Sequence, residues 1–322
     1  KGWHVESAVL IYQEKDRVDA VEPTIHATKT FDNGSKLKIS GVFDSLTGAS
    51  PNGATPTDTP QTFTRPSGNG SYITPAGEVP LDDTFKDSRT ALSVNYEYPL
   101  DRVTRISGGF VASSEYDYLS TAVNFSLARD FNQKNTTVSV GVAYASDSIE
   151  PEGGIPIPFA SMTAAGEEPP RQGSDDDKTV TDFMIGVTQI INRQTIMQLN
   201  YGYSNSDGYL NDPFKLVSVV DGSSGQTQDY LFENRPDSRV SNNIYWKTKY
   251  HSDRGDTIDF SYRYLWDDWE ITSHTFDLRY RWRISDRHYI EPHLRYYVQE
   301  EADFYQHSLV DGAALPSNAS AD

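Results

Sequence analysis

The 322-residue chain contains no cysteine and only three methionines. Without thiols it can have no disulfide framework, no thiolate metal site and no covalently attached c-type haem of its own. Long apolar runs are missing too: no stretch approaches the roughly 18 to 20 residues that a membrane helix needs. Excess positive charge is absent, with 46 Asp and Glu against 28 Lys and Arg and a net charge of −18, so no nucleic-acid partner is expected. A mean hydropathy of −0.60 would ordinarily suggest a soluble or partly disordered chain. Its 12% aromatic content, with 20 Tyr, argues against disorder, because disordered chains are poor in aromatic residues. The chain opens at Lys1-Gly2-Trp3 with neither an initiator Met nor an apolar signal segment, which reads as a mature or trimmed product.

Helical periodicity is scarce, whereas period-two alternation recurs along most of the chain. It predicts strands at about 3–14, 17–31, 35–46, 89–99, 102–114, 117–130, 135–147, 179–191, 194–205, 239–251, 256–266, 272–285 and 288–302. Most of these thirteen are longer than the usual five or six residues of globular strands. After a first turn at Lys15 to Arg17, tight turns alternate with other connections, and the long loops 51–88, 151–177 and 211–238 all fall at one end of the sheet. Short turns at one end and long loops at the other are the layout of an outer-membrane barrel, with periplasmic turns and external loops.

The segment TFDLRYRWRI (275–284) shows the faces plainly: Phe276, Leu278, Tyr280, Trp282 and Ile284 alternate with Asp277, Arg279, Arg281 and Arg283. Tyr96/Tyr98, Tyr201/Tyr203 and Tyr262/Tyr264/Trp266 cluster near strand ends, where interfacial girdles belong. The expectation is an all-β, antiparallel up-and-down transmembrane β-barrel in the bacterial outer membrane, against lipid and lipopolysaccharide, forming a single domain over 1–322. Thirteen strands leave the tail after Ala302 on the long-loop side, whereas such barrels generally have even strand numbers. Fourteen to sixteen strands are therefore expected in the full protein.

The run DSLTGASPNGA (44–54), with ASSEYDYLS (112–120), KNTTVSVG (134–141) and IEPEGG (149–154), resembles a bacterial family catalogued as domain of unknown function 3570. Matching segments spread over essentially the whole chain. Asp44, Thr47, Gly48, Ser50, Pro51, Asn52 and Gly53 carry the most specific part. The resemblance implies an outer-membrane barrel. It also implies participation in electron transfer or redox maturation, because genes of the family often sit beside a flavin transferase, a thioredoxin-like protein and a small lipoprotein. It fixes no catalytic residue. On the residues themselves, Pro51-Asn52-Gly53 supplies turn chemistry for a loop folded over the mouth or for a partner's docking point.

Inward positions on four successive strands collect Lys247 and Lys249, then Arg263, then Arg279, Arg281 and Arg283, then Arg295, with Asp259, Asp277 and Glu291 on the same face. Two readings stay open: internal ion pairs that brace the wall, or a path for anions or a phosphate-bearing group, which arginine binds bidentately. Ser107, Gly109, Ser120, Ala122, Ser126, Ser139, Gly141 and Gly186 also point inward, leaving room for water or another polypeptide. Acids gather at the long-loop end (Asp82, Asp83, Asp87, Glu167, Glu168, Asp175 to Asp177, Asp267, Asp268, Glu270). They form a solvated rim or bind Ca2+ or Mg2+, which take carboxylate oxygens. The apolar run GGIPIPFASM (153–162) reads as a luminal constriction, a docking segment or a packed loop. The seven histidines show no metal-binding spacing, and His274 faces outward while Ser261 faces inward, so no enzyme is expected. Two functions follow: a conduit or sheath that positions a partner, such as a small lipoprotein or a flavin- or haem-bearing redox protein, or a passive porin for small anions. No cofactor is expected in this chain itself.

Overall fold

The structure, a computed structural model, describes residues 2–322 apart from Asp16, Arg17, Ser67 and Asn69, and apart from the side chains of Asp83, Thr84 and Phe85. Lys1, most of the first turn and the Asp83 carboxylate therefore lie outside the described residues. In chain order the strands are β1 (Trp3–Gln13), β2 (Val18–Thr30), β3 (Lys36–Pro51), β4 (Gln61–Thr64), β5 (Ser71–Thr74), β6 (Leu81–Pro99), β7 (Thr104–Ser114), β8 (Tyr118–Phe131), β9 (Thr136–Ile149), β10 (Ile155–Pro156), β11 (Arg171–Gly173), β12 (Asp176–Ile190), β13 (Thr195–Gly208), β14 (Leu216–Val220), β15 (Thr227–Phe232), β16 (Ser238–His251), β17 (Thr257–Asp267), β18 (Thr272–Arg283), β19 (Tyr289–Ile290), β20 (His293–Gln299) and β21 (Leu309–Val310).

The long strands form one antiparallel wall in the order β1, β2, β3, β6, β7, β8, β9, β12, β13, β16, β17, β18, with β19 and β20 both on β18. These last two share one register, Ile290 opposite Trp282 and His293 opposite Arg279. They are halves of a single stave interrupted at Glu291-Pro292, where proline has no N–H to give the ladder. The wall is thus a thirteen-stave up-and-down sheet with the architecture of an outer-membrane barrel, matching the strand count that alternation predicts.

Register carries each face around the wall. Leu127, Val140, Ile185, Tyr201, Ile244 and Tyr264 stand side by side on successive strands. Ser107, Ser126, Gly141, Met184, Gly202 and Asn243 do so on the other face. The first row is apolar and points away from any protein core: Ile185 is 41% exposed and Ile244 40%. The staves alternate because their two faces meet different media, lipid outside and polar lumen inside.

The first long loop comes out shorter than alternation suggests. β3 and β6 run on as a paired ribbon as far as Pro51 opposite Leu81, past a register shift between Gly48 and Ser50. The first long loop is therefore 52–80, and the others are 150–175 and 209–237. These loops hold the molecule's core. Among the described residues, every buried apolar side chain except Ile149, the last residue of β9, lies in a loop, a turn or the tail. β14 pairs with β15 and, in parallel, with the tail strand β21. Val217, Val219, Leu231, Leu309 and Ala319 pack there, and Ala54, Phe63, Leu216 and Phe232 form a second cluster. Loops and tail together make a folded cap at one end of the wall. GGIPIPFASM is a packed loop within it: Ile155 is fully buried, and the amides of Phe159 and Met162 bond the carbonyls of Phe232 and Tyr230.

Candidate functional site

The cationic stripe assembles as register requires. Lys249, Asp259, Arg279 and His293 lie abreast on β16, β17, β18 and β20, and Lys247, Ser261, Asp277 and Arg295 form the next row. Opposite charges then come into contact, Arg279 and Asp277 within β18 and the other pairs between neighbouring segments. Lys247 Nζ lies 3.0 Å from Asp259, His293 Nε2 2.7 Å from Asp277, Arg279 3.9 Å from Asp277, and Arg281 Nε 2.5 Å from Glu291. Arg283 pairs with Asp286 of the adjoining turn. The Arg263 guanidinium sits 5.7 Å from the centre of the Tyr245 ring. Five of the seven cations therefore have an acidic or aromatic partner, and Lys249 and Arg295 form no ion pair among the described residues.

The small inward residues do not leave open space everywhere. A Cβ on Gly109 would fall 2.8 Å from the Asn124 amide, and one on Gly186 2.5 Å from Asn200 Oδ1. Asparagine side chains from neighbouring staves lie across these glycines and line the lumen with amides.

The family motif sits where β3 enters the cap. Asp44, 6% exposed, takes Arg89 Nε and Nη2 on Oδ2, each at 2.5 Å. Thr47 faces Asp19 on one side and Lys86 on the other, and Ser50 faces Asp82. The Pro51 carbonyl accepts Lys215 Nζ at 2.9 Å. Asn52 is the hub: its Oδ1 accepts the Ala54 amide, its Nδ2 donates to Tyr72, and its carbonyl accepts the Leu216 amide at 2.7 Å. Gly53 follows at φ +87°, with its missing Cβ only 2.6 Å from the Leu216 carbonyl. The motif therefore joins the first long loop to the third, and no side chain but glycine fits at its end.

Between the cap and the wall lies a cavity of about 830 Å³, bounded by the ends of β3, β6, β8, β9 and β12, the turn between β7 and β8, and all three long loops. Sequence reasoning missed the buried and half-buried charges in and beside it. Glu233, 3% exposed, accepts the Asp212 amide and the Ser320 hydroxyl, both at 2.6 Å, and pairs with Arg235 at 2.7 Å. Arg171 lines the cavity with its guanidinium 4.7 Å from the Phe232 ring centre, and burial pulls its pKa down. In the turn between β7 and β8, burial and then the Asp87 charge push the Glu115 carboxyl up. Asp117 is raised by burial and by Asp87, Asp212 and Glu152. No local signal sets these groups apart, since Glu233 stands in FENRPDS and Arg171 in EEPPRQGS, both rich in charged and polar residues.

Of the acidic rim, Asp267 is fully enclosed: its Oδ2 binds Arg239 and its Oδ1 accepts the Trp269 and Ile271 amides. Asp82 lies 3.9 Å from Arg65, and Asp268 accepts the Val240 amide. Among the described residues no three acids or histidines converge as a metal site. Ser261 and His274 stand on opposite faces, with the His274 ring bonded to the Tyr262 hydroxyl at 2.8 Å.

No curated protein matches the sequence. Among solved structures, a mutant of the ferric enterobactin receptor of Pseudomonas aeruginosa in complex with enterobactin is 8% identical, with TM-score 0.41 over 91% of this chain and 43% of that one. The ferric-catecholate import receptor Fiu of E. coli K12 is 10% identical, with TM-score 0.39 over 88% and 56%. OccAB1 of Acinetobacter baumannii is 10% identical, with TM-score 0.38 over 94% and 90%. The chain thus spans about half the length of the receptors it matches. The family described as "Protein of unknown function (DUF3570)" matches residues 1–322, and the chain belongs to it.

Proposed function

We propose that this chain is an outer-membrane barrel wall with an external cap, acting as a conduit or sheath that positions a partner across the membrane rather than as an open pore. The observation that carries the reading is the cap: three long loops and the tail pack into cores of their own over the long-loop end of the wall. The pairing of the luminal stripe supports it further, since a cation held against a carboxylate attracts a passing anion less. The lipid-facing rows of Val, Leu, Phe and Tyr support the outer-membrane location. A redox protein or small lipoprotein as the partner rests on the family's implied association with electron transfer, and any flavin or haem belongs to that partner. Catalysis by this chain has no part in the reading.

The second reading, a passage for small anions, draws on Lys249 and Arg295. Conductance of the refolded chain in planar bilayers separates the two. The sheath reading expects no steady current from the intact chain and co-purification of a polypeptide partner from native membranes. A steady anion-selective current, reversed in selectivity by the double substitution Arg279→Glu, Arg281→Glu, would replace it with the pore.

A further inference from the structure

The cavity under the cap is a separate feature from the stripe, and its charge is unevenly met. Four cations on its lining are already engaged: Arg65 with Asp82, Lys178 with Asp147, Lys215 with Asp322, and Arg235 with Glu233. Asp87, Glu115, Asp117 and Glu152 also line it and form no ion pair among the described residues. The remaining cations are Lys86 and Arg171, and Arg171 is turned onto a ring and onto the Gly153 and Pro170 carbonyls. Aromatic side chains of Tyr116, Tyr118, Tyr209 and Phe214 also line it.

A second, independent sign of an absent donor lies next door. A smaller cavity of about 300 Å³ shares Asp87 and Glu115 with the first, and is bordered by Asp44. Asp44 is 6% exposed, and its Oδ1 has no hydrogen-bond partner although Oδ2 is held by Arg89. Buried acceptors of this kind call for a donor. Asp147, 5% exposed, likewise keeps Oδ1 without a partner behind Tyr118 and Lys178.

We infer that the cavity is a binding site for an organic amine cation, with ammonium groups against Asp87, Glu115 and Asp117 and the aliphatic stem along the tyrosine and phenylalanine faces. Ammonium groups supply several donors to carboxylates, and aromatic faces attract cations. The volume falls within the range of roughly 300 to 1,000 Å³ of small-ligand sites. The inference does not depend on the sheath reading, because the cavity exists whatever occupies the lumen.

Spermidine titrated calorimetrically into the full chain refolded in detergent is the test, with heat-modified gel mobility confirming the fold of every variant. Saturable binding is expected, weakened roughly tenfold, about 1.4 kcal/mol, by Glu115→Gln with Asp117→Asn and also weakened by Asp87→Asn. The exposed pair Asp32→Asn, Asp253→Asn, in the short turns at the opposite end of the wall, should leave it unchanged. Absence of saturation, or equal weakening by both pairs, would overturn the inference as diffuse attraction to an acidic protein. Competition by citrate for the same site would overturn it in favour of an anion.

Discussion

Replacing Gly53 by alanine should loosen the cap while leaving the wall intact. Two effects add at this position. The backbone holds φ at +87°, a region that costs an L-residue with a Cβ about 1–2 kcal/mol. The new Cβ would stand 2.6 Å from the Leu216 carbonyl oxygen. A rigid backbone atom cannot rotate aside as a side chain would, so the first and third loops must separate. That separation breaks the Leu216 amide's bond to the Asn52 carbonyl, now 2.7 Å, at about 1 kcal/mol. Together these come to roughly 2–3 kcal/mol against cap closure, which multiplies the open population from about thirtyfold to about 160-fold. Limited proteolysis and hydrogen exchange of the detergent-folded protein read this directly. Cleavage within 52–80 and 209–237 should accelerate by that factor, with protection of β7 to β9 and the heat-modified gel shift unchanged. Unaltered cleavage in the variant would refute the claim that the motif closes the cap.

Asp267→Ala should be the more damaging substitution at the opposite corner, because it strips Arg239 of its partner and leaves the Trp269 and Ile271 amides unmet. Removing one member of such a buried pair costs about 3–5 kcal/mol, readable as a fall in thermal midpoint; an unchanged midpoint would show that water replaces the carboxylate. The neutralising pair Glu115→Gln, Asp117→Asn should act the other way. Both carboxyls are raised by burial and acidic neighbours, so the folded state holds their protons more tightly than the unfolded chain. Their stabilising contribution is complete below the usual carboxylate range and is lost as pH rises beyond it, through the raised folded pKa values. The double variant should therefore melt higher than the parent near neutral pH, with the difference shrinking towards about pH 4. A difference independent of pH would contradict the assigned shifts.

The wall was legible in the sequence because two media impose its alternation. Phe276, Leu278, Tyr280 and Trp282 on one face and Asp277, Arg279 and Arg281 on the other fix the faces without any knowledge of neighbours. The stripe was legible for the same reason. Its pairing was not, since which acid meets Lys247 depends on the β16–β17 register. The cap was largely illegible. Its strands run from two to six residues, too short to show a period, and its bonds are long-range: the Thr55 amide meets Ser218 Oγ across 163 residues, and Ser320 meets Glu233 across 87. No local pattern announces such partners. The motif ending in Gly53 could be quoted from the sequence, but its task needed the Leu216 carbonyl to be seen.

The two parts of the molecule draw their stability from different solvents, and the dependence between them runs one way. Phe63 at 0% exposure and Val217 at 0% are already out of water within the cap, each contributing roughly 1.5–3 kcal/mol. Phe125 at 51% and Val142 at 51% gain the equivalent term only when lipid covers them. Yet the cap's core is assembled from three loops and a tail that meet only because the staves hold their ends, and closing loops of such length on a free chain would cost several kcal/mol of entropy. Lipid thus stabilises the wall, and the wall in turn supplies the closure on which the cap depends. Opening the cap, by contrast, removes no stave contact, because the thirteen-stave ladder is complete below Pro51, Ile149 and Gly208. A cap that opens over a standing wall leaves every stave in place, so the cavity beneath it can widen or close without the barrel coming apart.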